Sequence, residues 1–209
     1  MKKIVILLLT IILGVCETLT VVASDNNDLE FSRTQNEELD TLSITCISVN
    51  SKGNIAIGFK NHRINVYNEE GGFVCCYKFK HSSGYAFEYV SNDSILVYPD
   101  RSSYYYVYTE DGTLVEKIKH GYTVEESQYR TKIGNRKRIE KEGIKYYVDN
   151  ILGYEKVIID RGSDSIVVYK MPVSSYTIKI ACIILFISFL ILTVFFAVKK
   201  TVKFYEKKK

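Results

Sequence analysis

The sequence predicts a mainly β ectodomain tethered by one C-terminal membrane-spanning helix. Three observations predict it: short apolar and alternating runs that repeat at offsets of 40 or 41 positions, an unbroken apolar run from Ile178 to Val198, and a shorter apolar run directly after Met1-Lys2-Lys3. The two apolar brackets set location, and the repeat sets architecture.

The C-terminal run, IKIACIILFISFLILTVFFAV, carries one charge, Lys179, at its outer edge. At about 1.5 Å per residue, a helix of this length crosses a hydrocarbon core about 30 Å thick. It has no polar stripe of the kind that a packed surface helix needs. Tyr176 before it, and Phe204 with Tyr205 after it, suit the interfacial aromatic belt. The N-terminal run from Ile4 to Val15 is short for a span and typical of a secretory signal, with Val21 and Ala23 at the small-residue positions before a cut after Ala23. An uncleaved signal anchor is the alternative. Cys16, in Leu13-Gly14-Val15-Cys16, loosely resembles a lipidation box, but branched Val15 precedes it and a lipid would duplicate the C-terminal anchor.

Charge orients the chain. The tail KKTVKFYEKKK holds six lysines against Glu206, whereas residues 25 to 177 hold 19 basic and 22 acidic side chains. Lysines beside a span mark the cytoplasmic side. The formal net charge of +4 therefore belongs mostly to the tail and is no nucleic-acid signal. The expected organisation is residues 1–23 as signal, 24–42 as a polar leader or short helix, 43–171 as the ectodomain, 178–198 as the transmembrane helix and 199–209 as a basic cytoplasmic tail.

Residues 53 to 85 (GNIAIGFKNHRINVYNEEGGFVCCYKFKHSSGY) are echoed by residues 93 to 122 (DSILVYPDRSSYYYVYTEDGTLVEKIKHGY). Ile55 aligns with Ile95, Val66-Tyr67 with Val107-Tyr108, Gly71 with Gly112, and Val74 with Val115. Val, Ile, Tyr and Phe in short alternating runs are strand chemistry. Strands are expected over 43–49, 54–59, 64–67 and 73–80, and again over 86–90, 94–98, 104–108 and 113–119. The glycines ending Glu69-Glu70-Gly71 and Glu110-Asp111-Gly112 give each third turn its backbone freedom. Four short antiparallel strands at a period near 40 is the layout of a propeller blade.

On these residues, 43–122 resembles two blades of a WD40-like or kelch-like propeller. It is similar to the paired repeats, with GNIAIGF and INVYNEEG patterns, of uncharacterised Gram-positive bacterial single-pass membrane proteins. That resemblance implies a fold and no activity. It departs from the WD40 pattern in having no tryptophan, and from kelch in showing the double glycine once, at Gly71-Gly72. A third, degenerate unit is expected over 144–171, from IKYYVDN, GYEKVIID and SIVVYKM. Two blades and a fraction cannot close a ring, for which four to eight is typical. An open stack of propeller-blade-like four-stranded antiparallel units is therefore expected, with the third unit capping the second, and association of copies into a ring is the alternative. Its exposed strand edges would invite a partner.

Chemistry is sparse. His62, His81 and His120 are the three histidines, and His81 and His120 occupy equivalent repeat positions at strand ends, so duplication of a structural element explains both. No spacing suits a metal, and no nucleophile elbow is present, so no cofactor, metal or nucleic acid is expected. Cys46, Cys75 and Cys76 are odd in number, and buried thiols explain them as well as a Cys46 bridge does. Seventeen tyrosines are the compositional oddity. Tyr98, Tyr104, Tyr106 and Tyr108 form a ladder suited to recognition, with alternation placing the last three on one face. Residues 123–143, the most polar stretch, carry Arg130, Arg136, Lys137 and Arg138, a candidate basic surface for an anionic envelope polymer or else a solvated hairpin or loop. The expected function is a non-enzymatic cell-surface protein that binds a protein or envelope component. The alternatives are an accessory subunit acting through its helix and tail, and, more weakly, an envelope hydrolase.

Overall fold

The computed structural model describes residues 29–37 and 43–206. The expected signal, its cleavage position, Cys16 and the last three residues lie outside the described residues. Three antiparallel sheets precede the long C-terminal helix. Sheet 1 contains β1 (Phe31–Thr34), β2 (Ile44–Val49), β3 (Ile55–Phe59), β4 (Arg63–Tyr67) and β5 (Phe73–Phe79), in the order β1-β5-β4-β3-β2. Sheet 2 is a meander of β6 (Tyr85–Tyr89), β7 (Ile95–Pro99), β8 (Tyr104–Tyr108) and β9 (Leu114–Lys119). Helix α1 (Val124–Gly134) follows, and then sheet 3, a second meander of β10 (Arg138–Lys141), β11 (Ile144–Ile151), β12 (Tyr154–Asp160) and β13 (Ser165–Lys170).

The eight strands expected from the repeat form within one or two residues of their expected bounds. Three expectations need correction. The polar leader contains a strand: β1 pairs with β5, because Phe31 stacks on Tyr108 at 3.9 Å and on Tyr77 at 5.2 Å. The polar stretch 123–143 is not a loop but α1 followed by β10, so the third unit is a full four-stranded sheet rather than a degenerate one. Finally, the third sheet packs on the first, not on the second.

That last point sets the layering. One face of sheet 1 (Cys46, Ile64, Val66, Tyr77) buries against Phe87, Ile95, Val97, Tyr106 and Tyr108 of sheet 2. The opposite face (Ile47, Ile55, Ile57, Tyr67) buries against Tyr146, Val157, Ile159 and Tyr169 of sheet 3. Alternation makes this possible, since a strand buried on both sides loses its polar face: every residue of β3 is buried. The spatial order is therefore 2-1-3, with α1 covering the far face of sheet 2 through Ile133 against Ala86, Tyr98 and Tyr105.

α1 starts at a threonine N-cap. Thr123 accepts the Glu126 amide at 3.2 Å, and Glu125 and Glu126 suit the positive end of the helix.

Helix α2 (Val173–Glu206) begins directly after Pro172, whose carbonyl accepts the amides of Ser175 and Tyr176. Its stretch Val173–Val194 is long and apolar enough to cross a membrane, with mean hydropathy 2.6 over an exposed apolar window, while Ser175 in its first turn is buried. The helix begins before the expected 178 and continues through the expected start of the tail at 199. Strand directions give the stack two ends. One, from which α2 leaves, holds the turns after Phe59, Phe79, Pro99 and Lys119 and the β11–β12 hairpin tip. The far end holds the turns around Gly53, Gly71, Asp93, Gly112, Gly143 and Gly162.

Candidate functional site

The tyrosine ladder proves to be core. Alternation does place Tyr104, Tyr106 and Tyr108 on one face, but that face lies against sheet 1. Tyr106 and Tyr108 are buried, and the Tyr108 hydroxyl donates to the Leu29 carbonyl at 3.0 Å. Tyr104 is half-buried, with the Lys117 ammonium 4.5 Å above its ring. Tyr98 is buried on the opposite face beneath α1, where its hydroxyl and that of Tyr129 donate to Glu88 at 3.1 and 3.0 Å. Burial first, and the Glu88 carboxylate second, raise the pKa of both phenols.

The basic stretch divides. Arg136 runs beside β2, whose bulge between Ile44 and Ile47 frees a backbone pair. The Ile47 amide donates to the Arg136 carbonyl at 2.9 Å, and Arg136 Nε donates back to the Ile47 carbonyl at 3.1 Å. Its guanidinium also reaches Ser48 Oγ at 3.3 Å and lies 3.7 Å from Glu88. Lys137 donates to the Ile44 carbonyl, and burial together with the charge of Lys60 lowers its pKa despite Glu155. Both side chains therefore brace sheet 1 against its neighbours instead of facing an external polymer. Arg130 stands 3.6 Å from Asp100, and Arg138 is exposed on β10.

Cavities open at both ends of the stack. At the helix end, about 430 Å³ is lined by Thr45, Lys60, Tyr85, Asp100, Asn135 and Lys137, where β2, β6 and the chain leaving α1 converge. Two ammonium groups and one carboxylate suit an anionic or zwitterionic group. Lys60 and Asp100 lie in turns with no sequence signal beyond polarity. At the far end, about 220 Å³ between sheets 1 and 2 is lined by Arg33, Lys52, Cys75, Tyr77 and Glu110.

The histidines are local braces. Nδ1 of His120 accepts the Tyr122 amide at 2.8 Å, and its ring stacks on Tyr122 at 4.3 Å. At His81, Nδ1 accepts the Ser83 amide at 3.2 Å and lies 2.9 Å from Ser83 Oγ, and that hydroxyl donates to the Asp100 carbonyl. These three groups close a turn. Cys46, Cys75 and Cys76 are buried and not paired with one another in a disulfide, so the Cys46 bridge does not form. Among the described residues, no group of three or more His, Cys, Asp or Glu side chains could hold a metal ion.

The stack also presents a bare strand. In sheet 1 the outer strand β5 is covered by β1, whereas the equivalent outer strand of sheet 2, β9, has no strand beside it among the described residues. Leu114 and Val115 on β9 are 41% and 60% exposed.

No protein-family model and no curated protein matches the chain. Among solved structures, the chain is similar to virginiamycin B lyase of Staphylococcus aureus, with 13% identity over 69% of this chain and a TM-score of 0.34. It is also similar to the catalytically inactive H270A form of that lyase with quinupristin, with 14% identity over 69% of the chain and a TM-score of 0.33. The chain spans under half of either lyase, 46% in each case. Likeness at that level assigns neither fold nor activity.

Proposed function

We propose that this chain is a non-enzymatic, single-pass membrane protein whose ectodomain lies outside the membrane and captures a protein partner by strand addition to β9. The observation that carries the reading is internal: β1 already adds antiparallel to β5, the outer strand of sheet 1. The same position in sheet 2 is open, and an unpaired outer strand is a ready template for another chain. The three sheets form an open, propeller-like stack. In favour of an open stack, α1 occupies the face of sheet 2 that a neighbouring copy's sheet 3 would need in order to close a ring.

Photocrosslinkers placed singly along β9 in the full chain, in its native membrane, test the proposal. A discrete protein adduct is expected from β9 positions, and the double substitution Leu114→Lys with Val115→Lys should abolish it without changing thermal stability. Adducts that survive this double substitution would overturn strand addition. Loss of the partner when α2 is replaced by an unrelated apolar helix would favour the accessory-subunit reading instead.

A further inference from the structure

The two ends of the stack differ in charge and in apolar exposure. Turns at the far end carry Glu69, Glu70, Asp93, Glu110, Asp111, Glu142 and Asp164, against Lys52 and Arg161, with Lys141 and Asp160 on the flanking strand ends. Those at the helix end carry Lys60, Lys80 and Arg101, with Arg63 and Lys119 on the flanking strand ends, Asp100 the acidic turn residue and Glu30 paired to Lys80 at 2.8 Å. The β11–β12 hairpin tip lies at this basic end. It displays Ile151 and Leu152 at 57% and 83% exposure.

Water does not explain a leucine there. The tip is a two-residue turn with both central residues in the left-handed region, Leu152 at φ 52° and Gly153 at φ 86°. Such turns favour Asn, Asp or Gly, and a bulky side chain at positive φ is disfavoured. The β10–β11 turn has the same form, and there the position is filled by Glu142 at φ 53° before Gly143 at φ 79°. One hairpin points its polar residue away from α2, and the other points an apolar pair alongside it. The contact with α2 is direct: Tyr154, just past the tip, packs its ring on Tyr176 in the first turns of α2 at 5.3 Å. Lys156 and Lys170 are register partners on β12 and β13 at the same end, with Asp149 of β11 opposite Lys156 on its other side, and the Lys156 ammonium sits 5.6 Å from the Tyr154 ring centroid.

We infer that the helix end of the stack rests on the bilayer, with Ile151 and Leu152 inserted among the acyl chains as a wedge and the surrounding lysines on anionic lipid headgroups. The inference rests on the reading of α2 as membrane-spanning. Apolar tip, aromatic collar and flanking lysines form the usual sequence of an interfacial anchor. The wedge would hold the stack in one orientation, with β9 running between bilayer and solvent and the acidic far end outward.

The chain has no tryptophan, so one introduced residue reports on its own surroundings. Full-length Leu152→Trp, Ile187→Trp in α2 and Glu142→Trp at the far end are reconstituted in vesicles of brominated phosphatidylcholine and phosphatidylglycerol in equal parts. Quenching by bromine at Leu152→Trp is expected to reach at least half of that at Ile187→Trp, with none at Glu142→Trp. Lys156→Glu with Lys170→Glu should weaken the Leu152→Trp signal in these vesicles and leave it unchanged in neutral ones. Ile151→Trp repeats the measurement should Leu152→Trp misfold. Strong quenching at Ile187→Trp with solvent-like emission at both tip positions would overturn the wedge alone. Solvent-like emission at Ile187→Trp would overturn the spanning helix itself.

Discussion

Arg136→Ala separates bracing from polymer recognition by its cost. The substitution removes a donor to the Ile47 carbonyl at 3.1 Å, a donor to Ser48 Oγ at 3.3 Å, and the cation 3.7 Å from Glu88, whose side chain is 10% exposed. Hydrogen bonds to charged groups contribute about 1.5 to 3 kcal/mol each, and removing one partner of a buried pair costs about 3 to 5 kcal/mol. The Arg136 side chain is 27% exposed, which discounts the sum towards its lower bound. The expected loss is about 3 kcal/mol, or a fall in Tm of about 6 to 12 °C for a domain of this size. Thermal unfolding of the detergent-solubilised full chain, followed by near-ultraviolet tyrosine dichroism, reads it. Glu88→Gln in the Arg136→Ala background should cost less than the two single changes added, by about 1 kcal/mol, because the two groups interact. A surface arginine costs no more than about 0.5 kcal/mol. A Tm shift below about 2 °C would therefore refute the bracing account.

Gly58→Ala should destabilise by about 1 to 3 kcal/mol in urea titration, since its Cβ would stand 2.6 Å from the Phe87 ring, 2.8 Å from Thr45 Oγ1 and 2.9 Å from the Tyr85 hydroxyl. The stability of the chain should also fall on acidification. Burial first, and Arg130 second, hold the pKa of His120 below 6.5 against the Glu126 carboxylate 3.0 Å from its Nδ1, so the unfolded chain takes up the proton first. The neutral ring's contribution is present in full above pH 6.5 and lost as pH falls towards the folded-state value, at no more than about 1.4 kcal/mol per pH unit. His81 acts with the same sign. Urea midpoints against pH should flatten in His120→Phe, and an unchanged slope would exclude His120 as a source.

Strands were legible where side chains alternate and turns are punctuated by glycine. β3 and β8 are recognisable as strands because Ile, Val, Tyr and Phe dominate them. β10, reading Arg-Ile-Glu-Lys, gives no such signal, since only Ile139 packs inward. α1 buries one residue, Ile133, so no apolar stripe announces it, although Thr123 and Glu126 spell an N-cap signal that could have done so. β1 depends on Phe31 meeting Tyr77, Phe79 and Tyr108, residues far along the chain. Sequence also could not show which side of the tyrosine ladder met water. Alternation sorts residues into two faces but does not say what covers each.

By itself, then, the sequence determined the repeat, the antiparallel four-stranded units and an apolar helix long enough to span a membrane. These follow from local periodicity and segment length, properties of neighbours along the chain. The 2-1-3 order, the conversion of the tyrosines to core, the use of Arg136 and Lys137 as braces, and the gathering of basic turns and the Ile151-Leu152 tip beside α2 were decided by tertiary structure. Each depends on which sheet faces which, and that is settled by packing between residues as far apart as Ile44 and Glu155, 111 positions along the chain.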